Sequence, residues 1–300
     1  MPAVEISHIT KSFGALKALD DVSFGIEKGE LFGLLGPNGA GKTTCIRVML
    51  DIFKPDSGSV ALLGGPMTES KKDRIGYMPE ERGLYQDIPL ERCLTYLGSL
   101  KSLSPAEVKR RSETYLERFD LVAHKTKKVK ELSKGMQQKA QIIVTLLHRP
   151  ELLIVDEPFA GLDPLNTQMV KDLLREQREQ GVTIVLCSHQ MHLVEELCDR
   201  IVLIDHGKVM LYGDLDDIRR RFSGNAVTVR TDSPIPTLKG IERVEPVNGT
   251  LKLHLMPGTK PQDVLRLLVA IDINLEQFEI SMPTLDEIFI RVVQGERVAA

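Results

Sequence analysis

The sequence predicts an α/β protein: a parallel-sheet core with an antiparallel β start and a helical insert, followed by a small C-terminal α+β domain. Three observations carry this reading. Apolar-rich runs, LLIV at 152–155, TIVLC at 183–187 and IVLID at 201–205, alternate with helical segments near 166–180 and 191–199. Strands buried on both faces and separated by helices are the pattern of a parallel sheet. Between about 88 and 148 the apolar stripes have helical spacing instead, and after Gly224 the chain turns to short alternating strands.

Residues 4–26 hold two alternating segments, VEISHI and VSFGI, which read as an antiparallel pair. LFGLL at 31–35 is a buried strand that runs directly into GPNGAGKTT. CIRVMLDIF at 45–53 has helical spacing, KPDSG at 54–58 carries the turn chemistry that ends it, and VALLG at 60–64 returns to strand. In the helical stretch Leu90, Leu94 and Leu97 make one stripe beside Cys93. SPAE at 104–107 reads as a helix start in which Ser104 caps, Pro105 takes the first helical position and Glu107 closes a capping box. Tyr115, Leu116 and Phe119 supply the apolar face of that helix. KTKKVK at 125–130 is a basic run, read as a solvated loop. ELSKGMQQ at 131–138 opens a further helix with Ser133 as N-cap, and HGK at 206–208 is a hairpin turn into VMLYG. Beyond Gly224, AVTVR, IERVEPV and LKLHL are strands, with a hairpin signal at VNGT, 247–250. QDVLRLLVAI follows as a helix, LEQFEIS as a strand and LDEIFIRVV as a closing helix. The expected domains are residues 3–222, with a helical subdomain at about 88–148, and residues 224–295.

The bulk composition narrows the function classes. At 300 residues, 42% hydrophobic and 27% charged, the chain suits a globular domain with an appendage. A net charge of −3 supplies no global field for nucleic acid or anionic lipid. Cys45, Cys93, Cys187 and Cys198 form neither a CxxC pair nor a metal spacing, so they read as small core hydrophobes in a reducing compartment. MPAVEISHIT carries no basic n-region, and no apolar run reaches the ~18 residues of a membrane span. The expectation is a cytoplasmic protein whose membrane role would run through a partner.

The chemistry is concentrated in three stretches. GPNGAGKT at 36–43 satisfies GxxxxGK[ST] between a strand and a helix. Its glycines, Gly36, Gly39 and Gly41, let the backbone of Pro37, Asn38, Ala40 and Thr44 wrap phosphate. Lys42 adds a point charge, and the Thr43 hydroxyl can ligate Mg²⁺. LLIVDEP places Asp156 and Glu157 at the carboxyl end of a strand, where parallel sheets bind ligands. Asp156 is suited to Mg²⁺ and Glu157 to orienting or deprotonating a water. CSHQ at 187–190 brings His189 to the end of the next strand, within reach of a γ-phosphate. ELSKGMQQ poses a separate question, because its helix start also suits an anion yet lies far in sequence from these groups.

GPNGAGKTT, LSKGMQQ, LLIVDEP, GLD at 161–163 and SH at 188–189 stand in the order of the ABC ATPases. The chain resembles the ATP-binding subunit of an ABC transporter over about residues 3–220. PTLDEIF and the small domain before it resemble the ABC-2 type bacterial exporters of the sodium- or drug-efflux group. The resemblance implies a P-loop ABC ATPase fold, ATP and Mg²⁺, a second ATPase subunit and a transmembrane permease, with the chain peripheral at the inner membrane face. It also implies that Ser133 and Gly135 face the nucleotide held by the partner chain, with Asp163 in the same seam. Phe13 is similar to the aromatic that stacks on adenine, the alternative being a core phenylalanine. Two departures stand out: LSKGM replaces LSGGQ, and Glu80, in IGYMPEERG, stands where the family commonly has a Mg²⁺-touching glutamine. The competing class, a soluble ABC ATPase acting on nucleic acid or ribosomes, resembles tandem cassettes or cassettes split by coiled coils, and neither feature occurs here.

Overall fold

Alternation in the first two segments puts Val4 and Ile6 on one face together with Val22, Phe24 and Ile26, and an irregularity at His8, φ 50°, brings Ile9 into the same core. These strands, β1 (Val4–Phe13) and β2 (Leu16–Ile26), pair antiparallel with Val4 opposite Ile26. The wholly buried β3 (Leu31–Leu35) leads through the glycine loop into α1 (Lys42–Met49). That helix starts earlier than its apolar spacing predicts, because the loop feeds its first turn. It ends at Leu50, and Asp51 then adopts a left-handed φ of 60°. β4 (Ser57–Leu62) returns to pair with the other edge of β1. A short α2 (Glu69–Lys72) precedes β5 (Ile75–Met78). This computed structural model describes residues 2–293 apart from 82, 224, 225, 248 and 257. Arg82 of IGYMPEERG, the Gly224 boundary, Asn248 of VNGT and residues 294–295 therefore lie outside the described residues.

The helical stretch holds α3 (Leu90–Ser99), α4 (Pro105–Arg118) and α5 (Lys134–Leu146). Ser104 caps α4, its hydroxyl accepting from the Glu107 N–H at 3.3 Å, while Glu107 pairs with Arg111 at 2.8 Å. The stretch is not helical throughout: KTKKVK follows a one-turn 3-10 segment at Val122–His124 and runs into a second at Val129–Glu131. Its backbone bonds the segment before α3, with the Leu90 N–H donating to Lys127 O and the Val129 N–H to Ile88 O. Val129 is fully buried, which pins the run down while its basic side chains stay outside.

The chain then alternates as expected: β6 (Leu152–Asp156), α6 (Pro164–Glu179), β7 (Thr183–Ser188), α7 (Met191–Leu197), β8 (Arg200–Asp205) and β9 (Lys208–Asp214). The large sheet has the order β5-β6-β7-β3-β8-β9, parallel except for β9. Helix α1 joins the two sheets through one core, in which Cys45, Ile46 and Met49 pack with Phe24, Phe32, Ile154 and Val202. Tyr212 clasps them at the edge, its hydroxyl donating to Gly25 O and accepting from the Arg200 guanidinium.

The chain divides after Asp214, and Leu215 begins the second unit. That unit comprises α8 (Leu215–Phe222), β10 (Ala226–Arg230), β11 (Ile241–Val247), β12 (Thr250–Leu255), α9 (Pro261–Ala270), β13 (Gln277–Ile280) and α10 (Leu285–Val293). Its antiparallel sheet runs β11-β12-β10-β13, and Val227, Val229 and Leu253 pack with Val264 and Leu268 of α9. Helix α8, which the sequence reading leaves unassigned, packs on α10, and Arg291 donates to Phe222 O at 3.0 Å. Among the described residues no helix is long and apolar enough to cross a membrane.

One buried histidine gives the first unit an acid sensitivity. His148 Nε2 lies 3.0 Å from Ile75 O, and since a carbonyl only accepts, the ring proton is on Nε2. Nδ1 is buried without a partner. Burial, reinforced by the Lys101 charge, pushes the ring down to about 4. The folded state therefore holds the neutral ring where the unfolded chain would take up a proton at about 6.5. The contribution is fully present above about pH 6.5, is lost as pH falls toward 4, and levels off below that. Between pH 7 and 4.5 the wild type should lose about 2 kcal/mol more than His148→Gln, which keeps a donor for Ile75 but does not titrate. Unfolding in urea at the two pH values checks this; parallel losses in both proteins would remove His148 as the cause.

Candidate functional site

Parallel pairing brings four strand ends to one edge. Leu35 lies beside Ser188, Asp156 beside Cys187, and Val155 beside Met78. The loop after β3, the DE pair after β6, the SH pair after β7 and Glu80 after β5 consequently converge at the carboxyl edge of the sheet. The loop, the DE pair and Glu80 line a cleft of about 420 Å³, and the SH pair holds Glu157 from outside it.

The loop fits phosphate because its glycines are sterically required. Gly36 has φ 149°, and a Cβ there would sit 2.1 Å from Ile204 O; Gly41 has φ 108°, and a Cβ would sit 2.5 Å from Ala18 O. Gly41 is also the N-cap of α1 and offers no side chain to its first-turn N–H groups, which leaves those of the cleft-lining residues for an anion. Lys42, 7% exposed, donates to Gly36 O at 2.7 Å and Pro37 O at 3.0 Å, which holds its ammonium inside the loop.

Two acids face that loop. Asp156 accepts from the Thr43 hydroxyl at 3.3 Å. Burial raises its carboxyl above the ordinary range, and the neighbouring Glu80 and Glu157 charges add to this. A buried carboxylate crowded by two others is a site that a cation would relieve. Glu157 is held on every side. Its Oε2 accepts from the Ser188 hydroxyl at 3.1 Å, and its Oε1 accepts from the His189 N–H at 2.8 Å and lies 2.7 Å from His189 Nδ1. Its backbone is left-handed at φ 51°, a strained conformation for a residue with a side chain.

Phe13, Asn38, Gly39, Gly41, Lys42, Thr43, Thr44, Glu80, Asp156 and Glu157 all line the cleft. Gly36, Pro37 and Ala40 shape the loop from behind. Phe13 is 44% exposed and edge-on to Phe53 at 5.3 Å, which rules out the core alternative for its ring. His189 is turned to Glu157 and does not line the cleft. Ser133, Gly135 and Asp163 do not line it either. Ser133 is exposed and caps α5 by accepting from the Met136 N–H at 3.2 Å. Asp163 is exposed and caps α6 by accepting from the Asn166 N–H at 2.9 Å. Gly135 lies against the Gly161 carbonyl, so ELSKGMQQ and GLD form one surface. Sequence reasoning missed Lys17, Ala18 and His206, which complete the rim. They lie on loops and strand ends with no local pattern, and only the closure of the β1–β2 hairpin and the β8–β9 turn onto the phosphate loop brings them there.

Residues 19–160 match the family described as ABC transporter, and residues 213–293 match the C-terminal domain of ATP-binding proteins like DrrA1-3. The ABC transporter ATP-binding protein YhaQ of Bacillus subtilis (strain 168) is 40% identical over 292 residues, covering 96% of this chain and 97% of its own. The linearmycin resistance ATP-binding protein LnrL of the same organism is 33% identical, over 96% of this chain and 97% of its own. A solved structure described as the ATP binding subunit of an ABC transporter is 34% identical with a TM-score of 0.69, over 73% of this chain and 93% of that one. A phosphate loop facing an Asp-Glu pair at a sheet edge, in a chain similar over nearly its whole length to YhaQ and LnrL, leaves one conclusion: this chain belongs to the ATP-binding subunits of ABC transporters, and it hydrolyses ATP.

Proposed function

We propose that the chain works as the motor of an exporter, dimerising around two Mg-ATP and driving a separate membrane permease. The observation that carries the dimer is the position of Ser133 and Asp163: both are exposed and away from the chain's own cleft, on a surface shared with Gly135. Helix α5 there offers an anion-ready N-terminus with no nucleotide of its own to serve. A second chain related by two-fold symmetry would place that surface over its partner's phosphate loop.

Thr43, Asp156 and Glu80 would hold Mg²⁺ together with phosphate oxygens. This suits an ion that takes one or two carboxylates plus substrate phosphates. When bound, the ion neutralises charge on the phosphates. Lys42 and the loop N–H groups orient the phosphate chain, and Phe13 supplies a ring for the base. Glu157 takes a proton from the attacking water at its carboxylate. His189 and Ser188 fix the direction of that carboxylate, and His189 reads the state of the γ-phosphate as Glu157 changes partners. Export is the direction we assign, because LnrL carries resistance in its name and the C-terminal domain is DrrA-like.

Residues 224–295, with α8 before them, would dock to the permease or regulate it, since every chemical motif precedes them. The test is recruitment to membranes co-expressing a candidate multi-span permease. The full chain should sediment with those membranes and not with membranes lacking that protein. A chain ending at Asp214 should keep ATP binding and lose part of the recruitment. The cut belongs there and not at the expected boundary after residue 222, because Leu215, Ile218 and Phe222 are buried and belong to the second unit. A full chain that ignores the membrane protein would overturn the transport reading.

A further inference from the structure

Behind the cleft, α5 buries two glutamines three residues apart, Gln138 and Gln141, 3% and 4% exposed. That spacing sets them on one side of the helix. Gln138 Nε2 donates to Glu157 O at 3.2 Å and to Pro158 O at 3.1 Å. Gln141 Nε2 donates to Pro79 O at 2.7 Å and, at 3.4 Å, to Glu81 O. One amide thus fastens the backbone of Glu157 itself, and the other fastens the carbonyls on either side of Glu80. Neither glutamine lines the cleft.

An amide inside a packed helix is unfavourable unless its polar atoms find partners. Gln141 Oε1 is buried with no hydrogen-bond partner, so this side chain keeps its donor on the Glu80 loop at a cost to stability. At Gln138 the reason lies across the bond. Glu157 holds a left-handed φ of 51°, and such a residue stays in place only when its surroundings over-determine it. Several bonds do so here. The Glu157 N–H donates to Cys187 O at 2.9 Å, the side chain is tied to Ser188 and His189, and the carbonyl accepts from Gln138 and from the Ala160 N–H, each at 3.2 Å.

We infer that Gln138 and Gln141 are positioning residues for ATP hydrolysis, setting from one helix the two acid-bearing loops of the nucleotide site. Gln138 aims the Glu157 carboxylate, and Gln141 keeps Glu80 where the Mg²⁺ of Mg-ATP would meet it. This rests on the proposed roles of Glu157 as base and Glu80 as metal ligand.

The tests use the full chain with Gln138→Met and Gln141→Met, which keep volume and remove the donors. Gln138→Met should lower kcat by about tenfold or more while the affinity for a fluorescent ATP analogue stays within about twofold. If it acts through Glu157, adding Gln138→Met to Glu157→Gln should cost less than about twofold in single-turnover hydrolysis. Equal fractional losses in both backgrounds, or a kcat near wild type, would overturn the role of Gln138. Gln141→Met should raise the Mg²⁺ concentration for half-maximal binding of the analogue by about threefold or more, without changing its affinity in EDTA. An unchanged Mg²⁺ dependence would overturn the role of Gln141. The premise is checked separately: if Glu157→Gln alone turns over normally, the base assignment fails and the Gln138 role falls with it. If Glu157→Gln is inactive and Gln138→Met is not, only the positioning role fails.

Discussion

Glu157→Gln is expected to lower steady-state ATP turnover by about 10²–10⁴-fold while leaving ATP bound, the range associated with a positioned general base. The substitution keeps the size of the side chain and most of its bonds. A glutamine oxygen can still accept from the His189 N–H, and the Ser188 hydroxyl can rotate to accept from the new amide. The phosphate loop is untouched, because Lys42 draws its order from Gly36 and Pro37 and not from the acid. Binding and chemistry should therefore separate. With hydrolysis blocked, ATP should persist between two chains, and light scattering in Mg-ATP should report twice the mass seen without nucleotide. Lys42→Ala should fail earlier, losing affinity as well as turnover, because it removes the counter-charge. Turnover of Glu157→Gln within about threefold of wild type would rule out Glu157 as the base. A variant that binds ATP and stays monomeric would count against the sandwich.

Mixing two inactive variants gives the second large effect. Ser133→Arg puts bulk and charge on the exposed start of α5, and Lys42→Ala removes the cation held inside the phosphate loop. If Ser133 serves the partner's nucleotide, a mixed dimer gathers both lesions at one site and leaves the other intact. Random mixing then leaves about a quarter of all sites whole. ATP trapping should recover on mixing, and turnover with it unless both sites must fire together. Loss of the Ser133 cap would itself cost about 1 kcal/mol, so circular dichroism must first show Ser133→Arg folded. If Ser133 acts on its own chain's ATP, every site in the mixture carries one lesion and neither readout recovers. No recovery, with mixed dimers shown to form, would end the shared-site assignment.

The sequence alone was enough for whatever depends on neighbours along the chain. LFGLL, LLIV and TIVLC became strands because each is apolar-rich and too short for a buried helix. GPNGAGKT became a phosphate loop because its glycines supply backbone angles that other residues resist. Ser104 and Ser133 became caps because their oxygens reach an N–H three residues on. Tertiary structure decided what depends on distant pairing. Insertion of β3 between β7 and β8 puts the phosphate loop beside Ser188 and His189, far later in the chain, and no local pattern encodes that neighbour. It turned His189 onto Glu157, placed Ser133 and Asp163 outside their own cleft, and moved α8 into the second unit. Gln138 and Gln141 show the limit best. On the chain they are two amides at the start of a helix, but a buried donor takes its meaning from the carbonyl it meets. Those carbonyls come from the loops after β6 and β5, which only the packed sheet brings against α5.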